Sequence, residues 1–168
     1  MKKTLLIVVL LLCFQYNAQA QGRDKATFGI YGGPTIYTSD ADTAQGHFGF
    51  HLGIGLATKL TLIGEFTITM NKHFPITDLT LNGRYVFAPE SKVKLFAEGG
   101  MGYYTLKAYA LGIFGEGEKR FGVNIGGGVL YEILGVAQVF ARVKYHNPFV
   151  KEARTNWVNI SFGADYIF

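Results

Sequence analysis

The sequence predicts an all-β protein: an eight-stranded antiparallel up-and-down transmembrane β-barrel. Three observations predict it. Apolar residues recur at every second position through most of 26–168, the period of a strand with two unlike faces. The connections alternate between short and long, as in a barrel with tight turns at one rim and loops at the other. Third, the chain is 49% hydrophobic and only 17% charged, which is lean for a surface bathed in water.

The first 20 residues stand apart from this pattern. Lys2 and Lys3 precede an uncharged run from Thr4 to Phe14, then Gln15, Tyr16 and Asn17 and the small-residue pattern Ala18-Gln19-Ala20. That order reads as a secretory signal peptide cleaved after Ala20. The run is short for an uncleaved anchor, which needs ~20 apolar residues. Cys13, the chain's one cysteine, follows Leu12 where a lipoprotein signal would place a small residue. Residues 21–168 are then a single domain with no thiol for a disulfide, a metal or a nucleophile. Losing Lys2 and Lys3 lowers the formal charge from +4 to +2, so nothing points to nucleic acid. No later stretch is long and apolar enough for a spanning helix.

The first strand covers Ala26 to Tyr37, where Gly32, Gly33 and Pro34 suggest a bulge or an early end. The second, His47 to Thr58, sets Phe48, Phe50, Leu52, Ile54 and Leu56 against His47, Gly49, His51, Gly53 and Gly55. Leu60 to Met70 repeats the pattern against Thr61, Glu65, Thr67 and Thr69, and Asp78 to Phe87 repeats it with Leu79, Leu81, Tyr85 and Phe87 on the bulky side. In the fifth strand Leu95, Ala97, Met101 and Tyr103 alternate with Lys94, Phe96, Glu98, Gly100 and Gly102; in the sixth, Phe121 to Tyr131 alternate with glycines, Asn124 and Glu132. Ala137 to His146 and Val158 to Phe168 complete the set. The links at Thr58-Lys59, Ala88 to Lys92 and Ile133 to Val136 are short, Asn71 to Pro75 is intermediate, and the links after strands one, five and seven are longer.

Alternation does not say which face points inward. In a soluble barrel the second face would meet water and carry Lys and Glu. Here it carries Gly, Thr, Asn and Ser, which suits an eight-stranded lumen with room only for its own side chains. The same parity holds Glu65, Asp78, Glu98, Glu132 and Asp165 against Arg84, Lys94, Arg142 and Lys144. These near-balanced acids and bases are expected to pair as a lumenal cluster, since an unpaired buried ion is costly. Phe28, Tyr85, Phe87, Tyr103, Phe121, Tyr131, Tyr145, Trp157 and Tyr166 lie near strand ends, as girdle aromatics do.

The chain ends SFGADYIF, with Phe162, Ala164, Tyr166 and Phe168 on alternate positions. With the cleavable signal and eight amphipathic strands, this resembles the small outer-membrane β-barrel family of Gram-negative bacteria, of the OmpA/OmpX type. The resemblance implies an integral outer-membrane location with outer-membrane lipid around the barrel, and a monomer. It also implies that Phe162, Tyr166 and Phe168 form the signal read by the barrel-insertion machinery. OmpA-like proteins that bind peptidoglycan carry a further periplasmic domain, and no such domain follows Phe168.

The expected role is non-enzymatic, through extracellular loops that contact a ligand or partner or through membrane integrity. The segment from Tyr103 to Arg120 is the candidate binding loop, with Lys107, Tyr109, Leu111, Phe114, Glu116 and Glu118, and Gly115-Glu116-Gly117-Glu118 as its turn. An exposed strand edge there would suit β-augmentation. An outer-leaflet lipid A-modifying enzyme is the alternative, and it needs a hydroxyl nucleophile beside a base. His146 is the best-placed histidine but lacks a His-x-Ser pattern, while Ser39, Asp40, Asp42 and His47 read as a polar first loop. His51 reads as a hydrogen-bonded filler. A narrow pore is the third reading, opposed by Phe96, Phe140 and the lumenal charges. No cofactor is expected, and Asp40-Ala-Asp42 falls short of the oxygen count calcium takes.

Overall fold

The computed structural model describes residues 25–38, 40–70, 76–106, 109–110, 113–114, 118–149 and 156–168. Each alternating run forms a strand: β1 (Ala26–Tyr37), β2 (Asp40–Ala57), β3 (Leu60–Met70), β4 (Ile76–Phe87), β5 (Val93–Leu106), β8 (Glu118–Leu134), β9 (Ala137–Pro148) and β10 (Trp157–Ile167). Two short strands, β6 (Tyr109–Ala110) and β7 (Ile113–Phe114), form a separate two-stranded pair between β5 and β8. The eight long strands close in the order β1-β10-β9-β8-β5-β4-β3-β2, every pair antiparallel. Closure leaves no sheet edge unpaired along the wall. β1 and β10 seal the seam, where Phe168 N–H donates to Ala26 O at 2.9 Å. The start of β1 and the end of β10 therefore share one rim with the short β2–β3, β4–β5 and β8–β9 turns.

Period two places bulky apolar side chains outside. Leu79 is 60% exposed, Met101 65% and Phe121 67%, whereas Thr80 and Asn82, which alternate with the outward leucines of β4, are buried. Inside, glycines make room for large side chains. A Cβ at Gly29 would collide with His51 and Asp165, and one at Gly163 with the Phe140 ring. Outward Gly64 and Gly83 have nothing within 4 Å of that position.

Several sequence expectations change. β2 begins at Asp40, well before His47, so Asp40 and Asp42 belong to a strand rather than a loop, and His47 points into the lumen. Asp40 to Gln45 reads Asp-Ala-Asp-Thr-Ala-Gln, with no bulky apolar residue on either parity, so hydropathy carries no period there. β1 does not stop at Gly33-Pro34. It keeps one register with β10 from Gly32↔Phe162 to Thr35↔Asn159, and the irregularity against β2 falls later, between Thr35 and Tyr37. At the tip β6 and β7 pair Ala110 with Ile113, and Glu118 pairs with Leu106 in the β5–β8 ladder, while Gly115, Glu116 and Gly117 of the expected turn lie outside the described residues. Trp157 is not a girdle residue. It is 0% exposed, because it shares the lumenal parity of Asn159 and Ser161.

Two apolar clusters occupy the lumen. Tyr31, Phe96, Leu130 and Phe140 pack together toward the rim where β10 ends, and Ile76, Tyr104 and Trp157 pack toward the opposite rim. Arg84 and Arg142 lie against rings of the first cluster.

Candidate functional site: the lumenal ion cluster and the far-rim hairpin

Five strands deliver ions to one place, and β2 adds the imidazole of His51. Arg142 on β9 holds Glu65 on β3 through two parallel bonds, Nη1–Oε2 at 2.8 Å and Nη2–Oε1 at 3.1 Å, and reaches Glu98 on β5 at 3.0 Å. Lys144 Nζ bridges the same two carboxylates at 3.0 and 3.2 Å. Arg84 on β4 donates from Nε to Glu98 at 3.0 Å. Asp165 on β10 receives Gln138 Nε2 at 2.9 Å and lies 3.0 Å from Nε2 of His51 on β2. The bidentate Arg–carboxylate geometry is among the stronger arrangements such a pair adopts. Aromatic faces meet the guanidinium groups: Arg84 lies 4.4 Å from the Phe96 ring centroid and Arg142 4.6 Å from that of Tyr31.

Lys94 and Glu132 share that parity but not that place. They pair with each other at 2.8 Å and are partly exposed, near the short turns. Asp78 is buried in the lumen yet belongs to no ion pair within 4 Å among the described residues.

A second network went unseen in the sequence. Ser161 Oγ lies 2.9 Å from His47 Nε2, His47 Nδ1 lies 3.0 Å from Thr35 Oγ1, and Thr35 donates to Asn159 Oδ1 at 2.7 Å. Asn159 Nδ2 lies 3.4 Å from His146 Nε2, and His146 Nδ1 lies 3.3 Å from the Tyr104 hydroxyl. The roles follow from the one proton Thr35 has to give. His47 donates from Nδ1 to Thr35, so its Nε2 accepts from Ser161; His146 accepts at Nε2 and donates from Nδ1 to Tyr104. Trp157 stacks on His146 with 5.2 Å between ring centroids. Lumenal parity on β1, β9 and β10 was the signal that could have found these groups. Ser161 beside His47 has the makings of an activated hydroxyl, but both side chains are buried inside the barrel.

On the outer wall, Phe162, Tyr166 and Phe168 are all exposed, and the Tyr166 and Phe168 rings meet edge to face at 5.0 Å. At the far rim, the tip pairs Tyr109 with Phe114. Lys107, Leu111, Glu116 and Ser39 lie outside the described residues, and for Tyr109, Phe114 and Glu118 only the backbone is described.

The sequence matches no family model and no curated protein. Solved structures do match. The N-terminal β-barrel domain of Pseudomonas aeruginosa OprF is 14% identical, with 87% of this chain and 98% of that one covered at a TM-score of 0.70. Neisserial surface protein A is 13% identical over 86% and 97%, with a TM-score of 0.72. This chain has the fold of the small eight-stranded outer-membrane barrels. Ail of Yersinia pestis, solved with the heparin analogue sucrose octasulfate, is 16% identical over 87% and 99% with a TM-score of 0.62. Small barrels of this fold thus share a closed wall with this chain while little of the sequence is held in common.

Proposed function

We propose that residues 21–168, after removal of the signal peptide, form an integral barrel of the bacterial outer membrane. Its lumen is plugged, and it acts through its extracellular hairpins or by supporting the membrane. The inverted polarity carries this reading: Leu79, Met101 and Phe121 face outward while Glu65, Arg142 and Lys144 are enclosed. Such an apolar wall suits hydrocarbon, and a contiguous patch of that kind on a soluble monomer would be anomalous. In this setting the rim where β1 starts and β10 ends faces the periplasm. Phe162, Tyr166 and Phe168 then present their rings to lipid, as a signal for barrel-insertion machinery would.

The ion cluster favours a plug over a pore, because it ties six strands across the lumen. The burial of Ser161 and His47 favours a non-enzymatic role, since lipid meets only the other face. The β6–β7 tip beyond the barrel is the candidate contact site for an extracellular ligand or partner. Ail, crystallised with a heparin analogue, is a precedent of fold for a barrel of this size that takes a ligand.

The test expresses the full chain and a variant lacking 107–118 in a Gram-negative host. Both are expected in the outer-membrane fraction, with heat-dependent gel mobility and no conductance steps in planar bilayers. The deletion should abolish surface binding or adhesion. Wild-type chain soluble in periplasmic extract would overturn the membrane reading, and unchanged surface phenotypes in the deletion would overturn the hairpin's role.

A further inference from the structure

Charges within the lumen do not balance. Among the described residues the enclosed acids are Glu65, Asp78, Glu98 and Asp165, against Arg84, Arg142 and Lys144. One positive charge is missing. Glu65 and Glu98 each meet two or more cations, and Asp165 lies beside His51 and, at 3.9 Å, Arg84. Asp78 is 0% exposed, and neither of its oxygens has a hydrogen-bond partner.

Its neighbours do not supply the charge. Thr67, directly across on β3, turns its hydroxyl toward the carboxylate, but a hydroxyl brings no charge and this one is also bonded to Tyr31 at 2.8 Å. Tyr104, directly across on β5, turns its hydroxyl to His146. The charged groups that act on Asp78 through space are Glu65, of the same sign, and Lys144 and Arg142, both engaged by Glu65 and Glu98. His51 lies against Asp165 at 3.0 Å and not against Asp78. The Thr69 hydroxyl, diagonal to Asp78 on β3, also goes unused. Buried acceptors without donors mark a place for a cation or water.

We propose that Asp78 holds one monovalent cation, an alkali-metal ion or ammonium, in the far half of the lumen, with water completing its shell. A divalent ion would overshoot the single missing charge and would find too few oxygens, since calcium takes six to eight. A cation bound only in the folded barrel stabilises it by mass action.

The test follows urea unfolding of the mature chain in detergent micelles at fixed pH and ionic strength, in choline, sodium, potassium or rubidium chloride. The wild-type midpoint should rise in an alkali salt relative to choline and saturate, while Asp78→Asn should be indifferent. A wild-type midpoint blind to cation identity would overturn the proposal, as would an equal response in Asp78→Asn. If acid alone stabilises the wild type, a proton balances Asp78 and the proposal fails. Should Asp78→Asn not fold, wild-type crystals in rubidium decide: an anomalous peak bonded to Asp78 supports the site, and its absence overturns it.

Discussion

Toward the rim where β10 ends, every enclosed carboxylate has a counter-charge or an imidazole at its side, and two guanidinium groups lie on aromatic rings. Toward the opposite rim the enclosed Asp78 carboxylate has neither, under the apolar cluster of Ile76, Tyr104 and Trp157. One tube thus contains a cross-linked ion cluster and, apart from it, a carboxylate with no counter-charge among the described residues. The difference separates residues that hold the barrel shut from residues that have capacity left over.

The largest effect should come from breaking the plug. Arg142→Met strands Glu65 and Glu98 in the lumen and should cost ~3–5 kcal/mol in urea unfolding from micelles. Asp78→Asn removes a charge that has no counter-ion and should be neutral or stabilising in choline. If Asp78→Asn costs as much as Arg142→Met, the two halves are one network and the contrast fails.

A smaller loss should follow from filling the inner wall. Gly163→Ala would drive a methyl against Phe140 and the Ile30 carbonyl, a loss of about 1–3 kcal/mol. Gly64→Ala, with nothing within 4 Å, should leave the unfolding midpoint unchanged or raise it. Smallest of all, Lys94→Met breaks a pair whose side chains are 17% and 36% exposed, and water screens it to under ~1 kcal/mol. A loss as large as that of Arg142→Met would place the rim pair inside the plug.

Much of this was legible in strand parity. The eight strands, the outward leucines and the inward glycines follow from period two, since one face must differ from the other. Parity says which residues enter the lumen but not at what height around a tilted barrel. Glu65 and Arg142 therefore gave no sign of meeting across 77 positions, and Lys94 and Glu132 gave none of lying at the rim. Trp157 was misplaced because a tryptophan near a strand end matches a girdle, although its odd position with Asn159 and Ser161 already pointed inward. The start of β2 was hidden because Asp40 to Gln45 has no bulky apolar residue on either parity, which erases the signal while the backbone ladder continues.

The direction of the side chains is the claim beneath all of these, and β4 tests it most directly. Spin labels placed singly at positions 79, 80, 81 and 82 in lipid vesicles report collision with oxygen, which concentrates in hydrocarbon. High accessibility at 79 and 81 with protection at 80 and 82 is the expected result; the reverse pattern, or equal contact of all four with an aqueous relaxing agent, would contradict the inside-out barrel.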